Sequence, residues 1–311
     1  TNMDIKTSGM TVDRWCGSSM ESIHIAAGKI AMGSGKAFIC GGVESMTRVT
    51  TGFDSMPYPY TEKENPNVYF SMGTTAENLA EKYNISREDQ DNFAYHSQLK
   101  AYKAQSSGRL SEEIVPVEIP QRRKEPILFE HDEFIKGNTK VEVLAKLRTA
   151  FKKEGGTVTA GNSSGLNDGA AAMLLASENG VKENNLSPIA KIISSAVVGV
   201  EPRIMGIGPV KASNKALEKA GLKMEDIDII ELNEAFSAQA LACIREWGLD
   251  DNDPRINPNG GAIAIGHPLG VSGTRIIHTA AIELHKQNKK YALITMCVGL
   301  GQGYATIIEK V

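Results

Sequence analysis

One stretch near the start of the chain, residues 11–30, limits the fold more than any other. Cys16 begins a run of small residues, 16–19, that predicts a tight turn after an extended approach. From Met20 onward, apolar side chains recur at i, i+3 and i+4, which is typical of a helix with one buried face. We therefore expect Cys16 to lie where a strand gives way to a helix. The free N–H groups and positive dipole end of a helix favour the thiolate form of a cysteine there.

The other cysteines bear on what Cys16 can do. The chain has four cysteines, far apart and without a CxxC pair: Cys16, Cys40, Cys243 and Cys297. This spacing argues against a zinc site and against a disulfide framework, and it fits reactive thiols in a reducing compartment. A lone cysteine is also commonly a small buried apolar side chain. The remaining sequence has to decide between these two interpretations.

Composition excludes several classes of partner. The 311 residues carry a net charge of −3, with 41% hydrophobic and 23% charged residues, as in ordinary globular proteins. Nothing here indicates a nucleic-acid partner. No run of 18 apolar residues and no signal peptide is present, so we expect no membrane span. These features favour a cytoplasmic protein, with an organelle matrix as the alternative.

A weak internal repeat indicates two related halves. Residues 19–30, 37–40 and 41–42 read as helix, strand and glycines, and residues 272–284, 292–297 and 299–301 follow the same order. A pseudo-repeat of two α/β halves would explain this, although chance can also produce so short a pattern. The middle section between them is basic. Its charges predict either a solvated face or a phosphate-binding rim.

Four turns are candidates for one reactive site. They contain Cys16, Asn233 in NEAF, His267 in GHP, and Cys297 just before Gly299. Each follows a strand or lies in a glycine-rich loop, where α/β proteins place their sites. A thiolate nucleophile needs a base, and His267 is the natural candidate. Cys297 could transfer protons if its pKa were lowered, and the glycine N–H groups after it could stabilise an oxyanion.

Eight segments in this order resemble the signature set of the thiolase family, from about Thr11 to the C-terminus: CGSSM, GGVESM, MGTTAEN, TVTAGNSSGLNDGAAA, MGIGP, NEAF, NGGAIAIGHPLG and CVGLGQG. The resemblance implies an α/β thiolase fold with two pseudo-repeated mixed-sheet halves in a layered αβαβα arrangement. Residues 1–48, with part of 157–180, would belong to the N-terminal half. Residues 49–156 would form a loop domain covering coenzyme A, and residues 181–311 the C-terminal half.

The resemblance also implies roles for individual residues. Cys16 would be the nucleophile that becomes acylated, His267 its base, and Cys297 the acid/base for the acetyl-CoA enolate. Asn233 would fix the water of one oxyanion hole, and the N–H groups of Cys16 and Gly299 would form another. Coenzyme A is implied as a co-substrate, with no tightly bound cofactor and no metal. Its implied contacts are Ser164, Phe151, Met205, Phe236, Lys136 and Arg148.

The implied reaction is cleavage of a 3-ketoacyl-CoA by CoA, giving acetyl-CoA and a shortened acyl-CoA. Short-chain acetoacetyl-CoA thiolases, which run the reverse condensation, often carry His where this chain has Ser71 before Met72. This favours a degradative enzyme of fatty-acid β-oxidation, with the biosynthetic enzyme as the alternative. Expected partners are a second copy, as a homodimer or a dimer of dimers, and a hydratase/dehydrogenase subunit of a β-oxidation complex.

Two other functions remain to be weighed. A ketoacyl synthase would carry His or Asn in place of Cys297, and a non-catalytic CoA- or lipid-binding subunit would be expected to lose His267 or Cys297.

Thiolases also carry a segment before the Cys16 turn, with a central strand of the first sheet and its helices, that these residues lack. We therefore expect open sheet edges and open apolar helix faces, and poor solubility or inactivity for a protein of these residues alone.

Overall fold

The chain forms two main sheets with two helices between them. In the computed structural model the described residues are 3–48, 63–64 and 66–311. The strands are β1 Ala37–Ser45, β2 Val117–Gln121, β3 Lys124–Phe129, β4 Asp168–Ala176, β5 Ala190–Gly199, β6 Ile229–Leu232, β7 Tyr291–Val298 and β8 Gln302–Lys310. The helices are α1 Ser18–Ala31, α2 Met72–Lys82, α3 Arg87–Ser106, α4 Val141–Leu144, α5 Glu178–Glu183, α6 Gly208–Ala220, α7 Ser237–Glu246, α8 Ala262–Ile265 and α9 Ser272–Lys286.

The two halves repeat one motif, as the sequence predicts. In the first half α1 leads into β1, which pairs antiparallel with β4. In the second half α9 leads into β7, which pairs antiparallel with β8. In the second half a short turn joins the paired strands. In the first half residues 46–167 lie between β1 and β4, so a long insertion separates the two paired strands.

The larger sheet has the order β5-β8-β7-β6 and is mixed, since β6 and β7 are parallel and the other neighbours antiparallel. Its side chains alternate between two cores, as the pleat of a strand requires. Ile294 and Ile308 face the helix layer of α1 and α9, where Met20 and Ile276 pack. The opposite face is covered by α6 and α7. This arrangement buries β6 and β7 on both sides.

The smaller sheet is covered on one side only within the described residues. Cys40 packs toward α1 and α9, whereas Ile39 and Val43 on the other face of β1 are 65% and 77% exposed. Leu174, paired with Ile39 on β4, is exposed as well. The described part therefore shows four alternating layers, and one face of the smaller sheet is apolar and exposed there. The extended approach to Cys16 is not a strand, because residues 8–14 pair with no other strand.

The insertion contributes two long helices and an exposed hairpin. Helix α2 packs on α7, and α3 packs on α7 and α8, so both belong to the body of the second half. Helix α2 begins after Ser71, whose side chain accepts a hydrogen bond from the Thr74 N–H. The β2–β3 hairpin is largely exposed. Residues 50–69 are rich in Pro, Tyr, Thr and Asn without a period, which predicts irregular structure, but most of them lie outside the described residues.

Candidate active site

A single turn of 3₁₀ helix, Trp15–Gly17, presents Cys16 directly before α1. Ser18 fixes this turn, because its Oγ accepts from the Arg14 N–H at 2.8 Å and donates to the Trp15 carbonyl at 2.6 Å. Trp15 adopts φ +50°, a left-handed conformation that costs free energy for a bulky residue. A Cβ on Gly17 would lie 3.1 Å from the Tyr304 ring, so only glycine fits there without a shift. The turn is rigid and tightly packed around the thiol.

The protonation state of Cys16 differs from the expectation. The pKa of Cys16 is raised to about 11, mainly by burial and to a smaller extent by the nearby Glu44 carboxylate. The Gly299 N–H acts in the opposite direction by hydrogen bonding to the sulfur, but it does not compensate for the lost hydration. The prediction of a thiolate at the helix terminus was therefore wrong. Cys16 is a thiol at neutral pH and needs a base in order to react.

Cys297 is the penultimate residue of β7 and directly precedes the turn that contains Gly299. Its side chain is fully buried against Met205 and Ala235, with Met72 and Phe236 beside them. Burial raises the pKa of Cys297 well above its ordinary value, and the neighbouring Cys16 adds to the effect. The lowered pKa considered from the sequence is thus not found. The two sulfurs are close enough for the charge of one to affect the other.

His267 lies in the loop between α8 and α9 and is 4% exposed. Its Nε2 is 3.3 Å from Asn233 Nδ2, and its Nδ1 is 2.6 Å from Ser272 Oγ. Burial lowers the pKa of His267 to about 4, and the positive charge of Arg275 acts in the same direction. The imidazole is therefore neutral at physiological pH, in the state that can accept a proton.

A close approach between the two halves positions the histidine loop. A Cβ on Gly42 would lie 1.7 Å from the Gly270 carbonyl oxygen, so glycine is required where β1 meets this loop. The Gly270 N–H donates to the Glu44 carboxylate at 2.9 Å. The GGVESM segment thus fixes the loop that carries His267.

Two buried residues that the sequence did not single out hold the Asn233 turn. The side chain of Asn257 accepts from the Leu232 N–H and donates to the Leu232 carbonyl, both at 2.8 Å, as a neighbouring strand would. It also donates to Glu234 at 2.7 Å, and Glu234 accepts from Ser97 Oγ at 2.6 Å. The only signal in the sequence is the clustering of polar residues in NEAF and NPNGG. Which pairs form depends on the fold.

Four of the six residues implied to contact coenzyme A gather beside the two cysteines. Phe151 and Phe236 form an edge-to-face pair with ring centroids 6.1 Å apart, and Met205 packs next to Cys297. The Ser164 N–H donates to the Ala235 carbonyl at 3.0 Å, which places it next to Phe236. The other two, Lys136 and Arg148, lie exposed on the inserted segment. Lys136 stacks over Phe134, which touches Gly165 next to Ser164.

Within the described ranges, no cluster of His, Cys, Asp or Glu side chains has the arrangement of a metal site. Among the helices described, none is long and apolar enough to cross a membrane.

The site thus combines two thiols, an imidazole and an amide at loops and strand ends of an α/β protein, which is the equipment of an acyl-transfer enzyme with a cysteine nucleophile. The family comparison agrees. The model described as "Thiolase, N-terminal domain" matches residues 1–179, and "Thiolase, C-terminal domain" matches residues 186–310. The chain belongs to the thiolase family of acyltransferases, and its fold is the thiolase fold.

Individual relatives cover nearly the whole chain. A β-ketoadipyl-CoA thiolase of Acinetobacter baylyi is 49% identical over 99% of this chain and 81% of its own length. A 3-ketoacyl-CoA thiolase of Marinomonas sp. is 47% identical over 99% of this chain and 79% of its own. The crystal structure of human mitochondrial 3-ketoacyl-CoA thiolase is 40% identical with a TM-score of 0.91, covering 100% of this chain and 81% of that one.

Proposed function

We propose that this enzyme cleaves a 3-ketoacyl-CoA with CoA through an acyl-Cys16 intermediate. The observation that supports the proposal has two parts. The Cys16 and Cys297 thiols are close enough that Cys16 raises the pKa of Cys297, and the neutral His267 imidazole contacts Asn233, whose turn packs on Cys297 through Ala235. A non-catalytic CoA binder has no need for two buried thiols and an unprotonated histidine. A ketoacyl synthase would not be expected to have a thiol at position 297.

In the proposed first half-reaction, His267 Nε2 takes the proton of Cys16 and the sulfur attacks the 3-keto carbon. The bond between C2 and C3 of the substrate then breaks, and its electron pair leaves as the enolate of acetyl-CoA. Cys297 donates its proton to C2 of that enolate, which releases acetyl-CoA. Cys16 keeps the shortened acyl group as a thioester. The charge on the oxygen of the tetrahedral intermediate is met by the imidazolium and by fixed N–H donors.

In the second half-reaction the Cys297 thiolate takes the proton of the incoming CoA thiol. The CoA sulfur attacks the acyl carbon, Cys16 leaves as a thiolate, and the proton on His267 returns to it. This step exchanges one thioester for another, so it is close to thermoneutral. The high pKa values of both cysteines have a consequence here: each stays protonated between turnovers and ionises only when a partner takes its proton.

Coenzyme A is proposed to enter between the inserted segment 49–156 and the second half. Phe151, Met205 and Phe236 form the apolar wall beside the cysteines, which suits the pantetheine arm. Ser164 lies at the edge of this wall and offers a hydroxyl. Lys136 and Arg148 are proposed to meet the phosphates, because both are exposed cations on the inserted segment.

The acyl group has two candidates. The sequence favours a fatty acyl chain of β-oxidation, and one relative is named 3-ketoacyl-CoA thiolase. Several relatives at 48–49% identity are instead named for β-ketoadipyl-CoA or 3-oxoadipyl-CoA, a six-carbon chain with a terminal carboxylate. Self-association and a hydratase/dehydrogenase partner remain predictions.

A pair of substrates separates these candidates. 3-Ketohexanoyl-CoA and 3-ketoadipyl-CoA have the same chain length and differ in the terminal carboxylate. We expect acetyl-CoA release in the presence of CoA, measured by chromatography, with a higher kcat/KM for 3-ketohexanoyl-CoA. A higher value for the diacid would assign the enzyme to aromatic-type dicarboxylic substrates. Failure to release acetyl-CoA from either substrate, or from acetoacetyl-CoA and 3-ketohexadecanoyl-CoA, would contradict the proposed reaction.

A further inference from the structure

We propose that Ser272 is a positioning residue that fixes the tautomer of His267, so that Nε2 alone exchanges protons with Cys16. The inference deepens the proposed function and rests on it for its catalytic meaning. The structural evidence for it is a series of hydrogen bonds on both sides of the imidazole ring. These hydrogen bonds link Asn233 to Nε2 of His267, Nδ1 of His267 to Ser272, and Ser272 to the Pro268 carbonyl.

The direction of the Ser272 hydrogen bonds follows from what its partners can do. Ser272 Oγ lies 3.1 Å from the Pro268 carbonyl oxygen and 2.6 Å from His267 Nδ1. A carbonyl oxygen only accepts, so the Ser272 hydroxyl can donate to Pro268. When it does, its oxygen is left to accept, and it accepts from His267 if Nδ1 carries the ring proton.

The contact at the other nitrogen sets the direction. Asn233 Nδ2 lies 3.3 Å from His267 Nε2, and an amide nitrogen only donates. Nε2 must therefore hold its lone pair free, which places the ring proton on Nδ1. Two contacts on opposite sides of the imidazole thus define one tautomer.

Burial makes this assignment exclusive. Ser272 is 0% exposed, so bulk water cannot replace the hydroxyl as an acceptor. The residue lies in the first turn of α9, and its own N–H donates to the Pro268 carbonyl at 3.1 Å. Helical backbone therefore holds the acceptor in place. Within the described part of the chain, Ser272 is the hydrogen-bond partner of His267 Nδ1.

The tautomer matters because one nitrogen has two tasks in succession. Nε2 first accepts the proton of Cys16, and the resulting Nε2–H then donates to the developing oxyanion. The proton on Nδ1 stays with Ser272 throughout and stabilises the imidazolium. If Nδ1 lost its acceptor, part of the population would carry its proton on Nε2 and could not act as a base.

The test compares Ser272→Ala with Thr274→Val. Thr274 lies in the same helical turn and is 1% exposed, and its hydroxyl has no partner among the described residues, so its loss controls for removing a buried hydroxyl from α9. We expect Ser272→Ala to lower kcat at least ~10-fold with KM within about twofold, because a lost support of a reacting group has effects of that size. Thr274→Val should change both less than about twofold, since no hydrogen bond to a reacting group is lost.

A second readout does not need activity. In the wild-type protein with ¹⁵N-labelled histidine, assigned by difference from His267→Gln, the His267 nitrogens should show a protonated Nδ1 and an unprotonated Nε2. In Ser272→Ala the His267 nitrogens should show a mixture of the Nδ1-protonated and Nε2-protonated tautomers. A protonated Nε2 in the wild type would overturn the proposal, as would equal losses of kcat in both variants. The spectrum is independent of turnover, so failure of the proposed reaction leaves this result separately visible.

Discussion

The floor and the rim of the site are built differently. The floor, which we define as Cys16, His267, Cys297 and Asn233, is at most 7% exposed. The rim, defined as Lys136, Arg148 and Phe151, is exposed, and Phe151 is 46% accessible. Floor residues are held by side chains from distant parts of the chain, whereas the rim belongs to the inserted segment.

This difference shows which parts of the chemistry depend on burial. Loss of water raises the pKa of both floor cysteines and lowers the pKa of the floor histidine. All three side chains are therefore uncharged at neutral pH. Exposed rim cations interact with their ligand through water and counter-ions, which weaken each contact. We therefore expect large and specific losses from changes in the floor, and small, salt-dependent ones from the rim.

The largest effect is expected for Cys16→Ala. Without the proposed nucleophile the enzyme should lose at least ~10⁴-fold in kcat, as enzymes with covalent intermediates do. The measurements are acetyl-CoA release and the mass of the protein after mixing with substrate, which should show no acyl adduct. Cys40→Ala is the matched control, because Cys40 is equally buried but lies on β1 outside the site. An acyl adduct on Cys16→Ala would remove the assignment of the nucleophile.

Cys297→Ala should cost less, about 10²- to 10⁴-fold in kcat, which is the range for loss of a general acid or base. Cys16 should still be alkylated by iodoacetamide in this variant at a rate within a few-fold of wild type, because His267 remains in place. Peptide mass mapping distinguishes the two sulfurs. A Cys297→Ala enzyme with full turnover would show that the enolate takes its proton from another group.

Much of the floor was predictable from the sequence, but its protonation was not. Cys16, His267 and Cys297 stand in short motifs that are weak signals one by one, and acyl transfer was indicated only when all the motifs together resembled the thiolase family. Their pKa values depend on how completely three separate turns close over them, which no local pattern encodes. The same is true of Asn257, whose side chain takes the place of a strand beside Leu232. For the fold, the α–β repeat was visible in the periodicity, while the packing of α2 and α3 on the second half was not.

A pH dependence of stability would sharpen the comparison. The pKa of His267 is about 4 in the folded protein and 6.5 in its ordinary state, so between these values the unfolded chain binds a proton that the folded one excludes. Stability should therefore fall as pH drops from about 6.5 to about 4, and His267 should account for about 3 kcal/mol of that fall. Urea unfolding of wild type and His267→Gln across this window isolates the contribution, since His24, whose pKa is also lowered, is present in both. Identical slopes would mean that His267 is solvated in solution.

The smallest effect is expected at the rim. Arg148→Ala should raise KM for CoA about two- to fivefold and leave kcat unchanged, because an exposed ion pair contributes at most about 1 kcal/mol. The double change with Lys136→Ala should add a similar factor, and both effects should shrink in 0.5 M salt as screening increases. Lys182→Ala, at an exposed lysine of α5 paired with Glu178, is the control and should have no effect on KM. A large, salt-insensitive rise for Arg148→Ala would instead place that side chain in a desolvated contact, and the distinction between floor and rim would fail at that residue.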